Sequence, residues 1–273
     1  EKVREGQVII NNLCAYIRSP FTLTSHYDEL SQDSPTPEGI YKDKEQEFYA
    51  DKATLDSEAD VRLSIIKEIH DRLQGPEENT PGTWSDFEYD FSGSVFFYPV
   101  DLTKSYYKKP INFSGSTYRG EANFTDSTYK SWADFSGSIF YSDVYFGTYI
   151  FNNPSRFTKY APTFYDEIYH QKTLFGSTNN DFTVDIDKGY PIDLDSKSIP
   201  LNCKFLTSEQ KEYLEDKFQE IEKINNKLLE AKDNGEKAKL LDTLRSVDEK
   251  LYEWRKEVTT VKVEDLAAED TES

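Results

Sequence analysis

Four aspartates alternate with apolar residues in TVDIDKGYPIDLDS, residues 183–196, and this spacing is the best candidate for metal chemistry in the chain of 273 residues. The alternation on both sides of residues 188–191 is the pattern of a β-hairpin. One face would carry Asp185, Asp187, Asp193 and Asp195, and the core face Val184, Ile186, Ile192 and Leu194. Carboxylates on one strand face repel unless a cation or lysines intervene, and Ca²⁺ takes about six to eight oxygen ligands. Because the spacing is not that of an EF-hand, two interpretations stay open: a Ca²⁺ site, or an acidic face turned to solvent.

Few other residues have the chemistry of an active site. His26, His70 and His170 belong to no spaced metal motif, so we expect surface or packing roles for them. Cys14 and Cys203 lack cysteines or histidines at zinc spacing, and we expect two structural free thiols, which favours a reducing compartment. The phosphate-binding and nucleophile motifs of common enzyme families do not occur. The sequence therefore predicts a non-catalytic protein without a resident cofactor.

The charge of the chain is concentrated in its flanks. Residues 1–86 carry 18 acidic and 9 basic side chains, residues 161–273 carry 26 and 16, and residues 87–160 carry 7 of each, giving a formal net charge of −19. We therefore expect no direct binding of DNA or RNA. No stretch reaches the roughly 18 apolar residues of a membrane span, and no signal peptide is visible. A cytoplasmic location is favoured, although the start at Glu1 in a chain without methionine is also typical of a processed or trimmed protein.

Large apolar residues recur at intervals of 11 through the neutral middle of the chain. The first series is Phe91, Leu102, Phe113, Phe124, Phe135, Phe146 and Phe157. A second series follows five residues behind: Phe96, Tyr107, Tyr118, Tyr129, Phe140 and Phe151. Steps of five and six residues reach opposite faces of an α-helix, whereas in a strand a small residue two positions before each ring, such as Ser94 or Ala122, would point to the same side as the ring. The pattern therefore predicts short strands with a small and a large residue facing inward.

The segment ANFTDSTYKSWADFSGSIF, residues 122–140, resembles the pentapeptide-repeat family, whose units have a central Leu or Phe and a small residue two positions earlier. The resemblance implies a right-handed four-sided β-solenoid. Four units, alternately five and six residues long, would make one 22-residue coil, which stacks the tetrapeptides FSGS at 91–94, 113–116 and 135–138. Coils would lie about 4.8 Å apart, and the open sheet edges at both ends would need covers. With helical flanks the fold class is α+β.

Five segments are predicted from these patterns. They are an irregular N-terminal segment with a cap helix at 57–74 (1–86), the solenoid (87–165), a closing segment with the β-hairpin (166–206), an α-helical hairpin broken near 233–237 (207–260) and a disordered acidic tail (261–273). A capping box of Ser57 and Asp60 would begin the cap helix, and Gly75 with Pro76 would end it.

The helical hairpin has more large apolar residues than one helix pair can bury. The excess is Tyr213, Leu229, Leu241, Tyr252 and Trp254. These residues would either contact a protein partner or a second copy, or pack on the last coil. We expect a protein-interaction scaffold. The alternative is an acidic DNA mimic that binds a DNA-processing enzyme such as a topoisomerase, as some pentapeptide-repeat proteins do, and an enzyme ranks third.

Overall fold

The computed structural model describes residues 2–148, 153–169 and 171–259. Its helices are α1 (Lys2–Arg18), α2 (Tyr27–Leu30), α3 (Glu45–Leu73), α4 (Ser208–Glu230) and α5 (Asn234–Thr259), with a 3-10 turn at Thr22–His26. Between α3 and α4 lie two-residue strands. None of the described helices has an apolar stretch long enough to cross a membrane.

Most strands form four separate parallel ladders within the described residues. Ladder 1 contains β1 (Tyr89–Asp90), β5 (Ile111–Asn112) and β9 (Ala133–Asp134). Ladder 2 contains β2 (Val95–Phe96), β6 (Thr117–Tyr118), β10 (Ile139–Phe140), β15 (Leu174–Phe175) and β16 (Lys204–Phe205). Ladder 3 contains β3 (Val100–Asp101), β7 (Ala122–Asn123) and β11 (Val144–Tyr145), and ladder 4 contains β4 (Tyr106–Tyr107), β8 (Thr128–Tyr129) and β12 (Arg156–Phe157). The remaining pair, β13 (Tyr165–Asp166) and β14 (Gln171–Lys172), is antiparallel.

The ladders have the 22-residue register that the sequence predicts. Tyr89 pairs with Ile111 and Ile111 with Ala133, and Val95 pairs with Thr117 and Thr117 with Ile139. Four consecutive strands, one from each ladder, therefore make one repeat.

The inward residues of the repeats form a core of stacked aromatic rings. All seven residues of the first series have an exposed fraction of 0%. Rings of neighbouring repeats stack, as between Phe113 and Phe135 with centroids 5.2 Å apart, and between Tyr118 and Phe140 at 4.4 Å. Such offset stacking adds to the free energy that burial itself contributes.

The small inward residues connect one repeat to the next by hydrogen bonds. The Oγ of Ser116 donates to the carbonyl of Phe91 at 2.8 Å, and the Oγ of Ser127 donates to that of Leu102 at 2.8 Å. Serine suits this position because a buried hydroxyl needs an acceptor and the preceding repeat supplies one. The hydroxyl of Ser94, in the first repeat, has no acceptor among the described residues.

The FSGS tetrapeptides make the corner of each repeat. Gly93, Gly115 and Gly137 have φ of +67°, +66° and +65°, a region that glycine enters without a steric penalty. The residue before each phenylalanine accepts a hydrogen bond from the backbone two positions later, as Asn112 Oδ1 does from the Ser114 N–H at 2.9 Å. These two local preferences explain why the tetrapeptide recurs.

The register changes after β11, and this change corrects one prediction. The Ser105 N–H donates to the Oγ of Ser127, which lies 22 residues later in the chain. The Ser127 N–H donates to the Oγ of Ser155, which lies 28 residues later. β12 therefore pairs with β8 at the longer step, and Phe157 stacks on Tyr129 at 4.5 Å. Phe157 is buried, but its place in the first series is wrong. It stacks on Tyr129 and so continues the second series.

Two details belong to the same change of register. Ser155 takes the small inward position before Phe157, since its Oγ donates to the Phe124 carbonyl at 2.6 Å. Phe151, which was assigned to the second series, lies outside the described residues.

The aromatic core continues through the closing segment. Phe164 stacks on Phe135 at 5.4 Å, Phe175 on Phe140 at 5.5 Å and Phe182 on Phe146 at 6.1 Å. Through β15 and β16, residues 166–206 extend ladder 2.

The predicted hairpin around residues 188–191 is wrong. Val184 forms a parallel bridge with Ser155, and the Tyr190 N–H donates to the Phe157 carbonyl at 2.8 Å. Because the preceding repeat holds this backbone, the two halves of the segment do not pair with each other. Ile186 is 68% exposed and Leu194 is also exposed, so neither faces the core as predicted.

The N-terminal segment is more helical than predicted and covers the first repeat. The part of this segment before the cap helix is predicted to be irregular, but α1 packs on β1 with Ile10, Cys14 and Ile17 buried. α3 begins at Glu45, so the expected capping box at Ser57 lies inside the helix. The helix ends at Leu73, close to the predicted stop.

Candidate functional site

The predicted helical hairpin is present, and its first helix spans the outer side of ladder 2. A capping box of Thr207 and Gln210 begins α4 directly after the last strand. Leu214 packs with Ile139 and Leu174 in a small cluster on the ladder, and Phe218, Leu251 and Trp254 border that cluster. Farther along, α4 contacts the 3-10 turn Thr22–His26. The hairpin therefore links the last strand of the ladder to the N-terminal segment.

A buried arginine connects three parts of the chain beneath α4. The side chain of Arg119, directly after β6, is 2% exposed and donates from Nη1 to Glu215 on α4. The same nitrogen lies 3.6 Å from an oxygen of Asp28 on α2. The guanidinium also lies over the Tyr141 ring, 4.3 Å from its centroid. Burial raises the pKa of Glu215, while the hydrogen bond and charge of Arg119 oppose that rise.

The end of the hairpin is exposed along most of its length. Ala231 is buried, but every residue from 232 to 239 is exposed. Leu229 is 80% exposed and Leu241 is 51% exposed. We call residues 229–241 the hairpin tip. α4 is about 35 Å long and the five strands of ladder 2 rise about 19 Å, so the helix runs past the ladder and carries the tip beyond it.

The five residues predicted to contact a partner divide into two groups. Tyr213 and Trp254 stack on each other with centroids 5.0 Å apart, and Trp254 borders the cluster on ladder 2. Both residues therefore pack inside the chain. Leu229, Leu241 and Tyr252 are exposed, with Tyr252 at 50%. Of the apolar residues that were predicted to be in excess, those near the ladder pack inside the chain, and those at the tip and at position 252 are exposed.

Two of the four aspartates of residues 183–196 have partners within the chain. Asp185 lies 3.4 Å from Arg156 and 3.6 Å from Lys188. Asp195 accepts hydrogen bonds from the backbone of Lys197 and Ile199. Across the described ranges, no group of three or more His, Cys, Asp or Glu side chains is placed to hold a metal. The Ca²⁺ hypothesis depended on a β-hairpin, and this β-hairpin is not formed.

The histidines and cysteines occupy packing positions where they are described. A ring nitrogen of His70 lies 2.7 Å from the Thr103 carbonyl, His26 packs against Tyr41, and His170 lies outside the described residues. Cys14 and Cys203 are buried free thiols. Burial raises the pKa of Cys14 to about 11 and that of Cys203 to about 12, which keeps both thiols protonated at neutral pH.

Comparison with known proteins identifies no relative of the chain. No family model, no curated protein and no solved structure matches it. Function is therefore inferred from the surfaces and contacts described above.

Proposed function

We propose that this chain is a non-catalytic interaction scaffold of the pentapeptide-repeat type. In this proposal the four ladders close into a right-handed four-sided β-solenoid in which each four-strand repeat is one coil. The α4–α5 hairpin is fixed along one side of the solenoid and presents its tip to a partner protein. The first two strands of every ladder pair at the same step along the chain, and the repeats share a single aromatic core, which supports the closed form.

The observation that carries the functional proposal is the contrast between the two ends of the hairpin. Near the ladder, Trp254, Leu251 and Phe218 pack around Leu214 and Ile139. At the tip, most of the surface of Leu229 and about half of the surface of Leu241 are exposed to water. Exposed apolar side chains on an otherwise polar helical projection are typical of a protein-binding surface.

The DNA-mimic alternative has less support. A mimic needs rows of negative charge along the rod, but residues 87–160 carry 7 acidic and 7 basic side chains. Acidic residues are instead numerous on α3, which covers the first repeat. A cross-link from the tip to a DNA-processing enzyme would revive this alternative.

Point substitutions test the proposal better than deletion of the hairpin. Removal of α4 would leave Arg119 without Glu215 and would uncover Ile139 and Leu174, so the shortened chain would lose stability for reasons unrelated to a partner. Changes at the exposed tip should alter the free energy of unfolding by no more than about 0.5 kcal/mol.

We expect a photo-crosslinking amino acid at position 229 to capture one discrete protein species, which is a second copy of the chain or a different protein. Leu241→Ser should abolish the capture, because it removes the other exposed leucine of the tip. The same crosslinker at position 201 is the control, since Leu201 is an exposed leucine, at 48%, that lies outside the hairpin. Sedimentation velocity of the full chain separates self-association from binding of another protein. Equal capture from positions 201 and 229, or capture that Leu241→Ser leaves unchanged, would contradict the proposal.

A further inference from the structure

Asn234 and Gly235 form an Asn–Gly pair at the hairpin tip, and no other asparagine in the chain is followed by glycine. Both residues are exposed, and α5 begins at Asn234. Asp233 accepts hydrogen bonds from the backbone N–H groups of Glu236 and Lys237 at 2.9 and 3.1 Å. The Gly235 N–H between them donates to no acceptor among the described residues. The side-chain amide of Asn234 likewise has no hydrogen-bond partner there.

The backbone nitrogen that follows an asparagine can attack the Cγ atom of that asparagine and close a five-membered ring. The attack needs a nitrogen whose N–H is not held in a hydrogen bond and a side-chain amide that can turn toward it. The first N–H groups of a helix have no acceptor within the helix, so the Gly235 nitrogen meets the first condition. Glycine also lacks the Cβ that would hinder the approach and enters backbone conformations closed to other residues.

The other asparagines that the structure describes do not combine these conditions. The following N–H donates to a backbone carbonyl at five of them, namely at Thr80, Phe113, Phe124, Asp181 and Cys203. It lies inside α1 or α4, where it donates to the carbonyl four residues earlier, at Asn12, Leu13, Asn226 and Lys227. Asn153 precedes a proline, which has no N–H. The amide of Asn179 is held, since it donates to Asp143 at 2.8 Å.

We propose that Asn234 is a site of spontaneous deamidation. Local opening of the first turn of α5 lets the Gly235 nitrogen attack Cγ of Asn234. The new N–Cγ bond closes a succinimide, and the side-chain amide nitrogen leaves as ammonia with the proton of the Gly235 N–H. Water then adds to one of the two ring carbonyls and opens the ring, which leaves aspartate or isoaspartate at position 234. The reaction consumes one water, releases one ammonia and needs no enzyme.

The product changes the charge and the backbone of the hairpin tip. Residues 229–241 carry three acidic and three basic side chains, and deamidation adds a fourth acidic group. Isoaspartate also lengthens the main chain by one carbon at the residue where α5 begins. These changes follow whether or not the tip has a partner protein.

Incubation of the full chain in mildly alkaline buffer, followed by peptide mapping with mass spectrometry, is the measurement. We expect the peptide that contains position 234 to gain the mass difference between an amide and a carboxylic acid. The conversion should be about tenfold or more faster than at Asn225 and Asn226, whose following N–H groups are released only when α4 opens. The rate should rise with pH, because the attacking nitrogen must lose its proton. Asn234→Gln should remove the reaction, since the longer side chain would have to close a six-membered ring.

Lys227→Gly is the matched control, because it places a second Asn–Gly pair after Asn226 at an exposed position inside α4. In the folded variant Asn226 should convert about tenfold or more slowly than Asn234, since its following N–H is held in the helix. In urea the two pairs should convert at equal rates. If circular dichroism shows that Lys227→Gly does not fold, Asn12→Gly places the pair after Asn11 in α1 and replaces it.

Three results would overturn the proposal. They are the absence of conversion at Asn234 in the unchanged chain, equal conversion of the two Asn–Gly pairs in the folded control variant, and a mass gain at the tip that survives Asn234→Gln. The first shows that Asn234 is protected, the second that the fold does not select it, and the third that another group reacts.

Discussion

Phe124→Ala should lower the free energy of unfolding by about 3–5 kcal/mol, the usual cost of truncating a fully buried phenylalanine. Phe124 is 0% exposed and lies at the centre of the aromatic core. Its ring centroid is 5.3 Å from that of Phe135 and 5.2 Å from that of Phe146. Alanine would leave a cavity that stacked repeats on both sides cannot close, because their strands are held in register by hydrogen bonds. Equilibrium denaturation in urea measures the change.

Lys130→Ala is the control for this experiment. Lys130 is exposed in the same repeat, and its removal should change the free energy of unfolding by no more than about 0.5 kcal/mol. A Phe124→Ala variant that unfolds at the same urea concentration as the unchanged chain would show that the inward assignment of the first series is wrong.

Arg119→Met should destabilise the chain by about 3 kcal/mol, the lower end of the usual cost of breaking a buried ion pair, because it leaves the partly buried Glu215 without its positive partner. The double variant Arg119→Met with Glu215→Leu should recover much of this loss, since apolar residues of similar size often replace a buried ion pair without a large cost. A double-mutant cycle in urea separates the pair energy from the effects of packing.

The surface pair of Arg245 and Asp242 provides the comparison for the buried one. Both side chains are more than 70% exposed, at 73% and 75%, and lie 3.6 Å apart at their closest atoms. Arg245→Met should therefore change stability by no more than about 1 kcal/mol. If Arg119→Met cost as little as Arg245→Met, α4 would not be fixed to the ladder through Arg119.

The sequence allowed prediction of the ladder because every rule that sets it is local. The inward serine at 116, an aromatic ring at 118, the glycine at 115 and an Asn or Asp at 112 recur at steps of 22 residues and have the same role in each repeat. The prediction failed at Phe157 because an insertion before β12 lengthens the step there, while an aromatic residue still falls at the expected number.

Contacts between distant segments have no repeating pattern in the sequence that would predict them. Arg119 and Glu215 are 96 residues apart, and neither stands out in its local sequence. α1 could have been found, since Ile10, Leu13, Cys14 and Ile17 have helical spacing. The alternation in residues 183–196 predicts a strand but not its partner, and Val184 pairs with Ser155 of the preceding repeat. The spacing of apolar residues within a segment does not show which other segment it pairs with.

Hydrogen exchange of the full chain tests most directly the central claim, a rigid ladder that holds a weakly packed helical tip. The amides of Phe113, Thr117 and Ala122 donate to the neighbouring repeat at 2.7, 2.8 and 3.0 Å, so they should exchange only through global unfolding. The amides of residues 232–239, where every side chain is exposed, should exchange through local opening at much higher rates. Slow exchange at the ladder together with fast exchange at the tip is the predicted result. Ladder amides that exchange as fast as those of the tip would contradict the account.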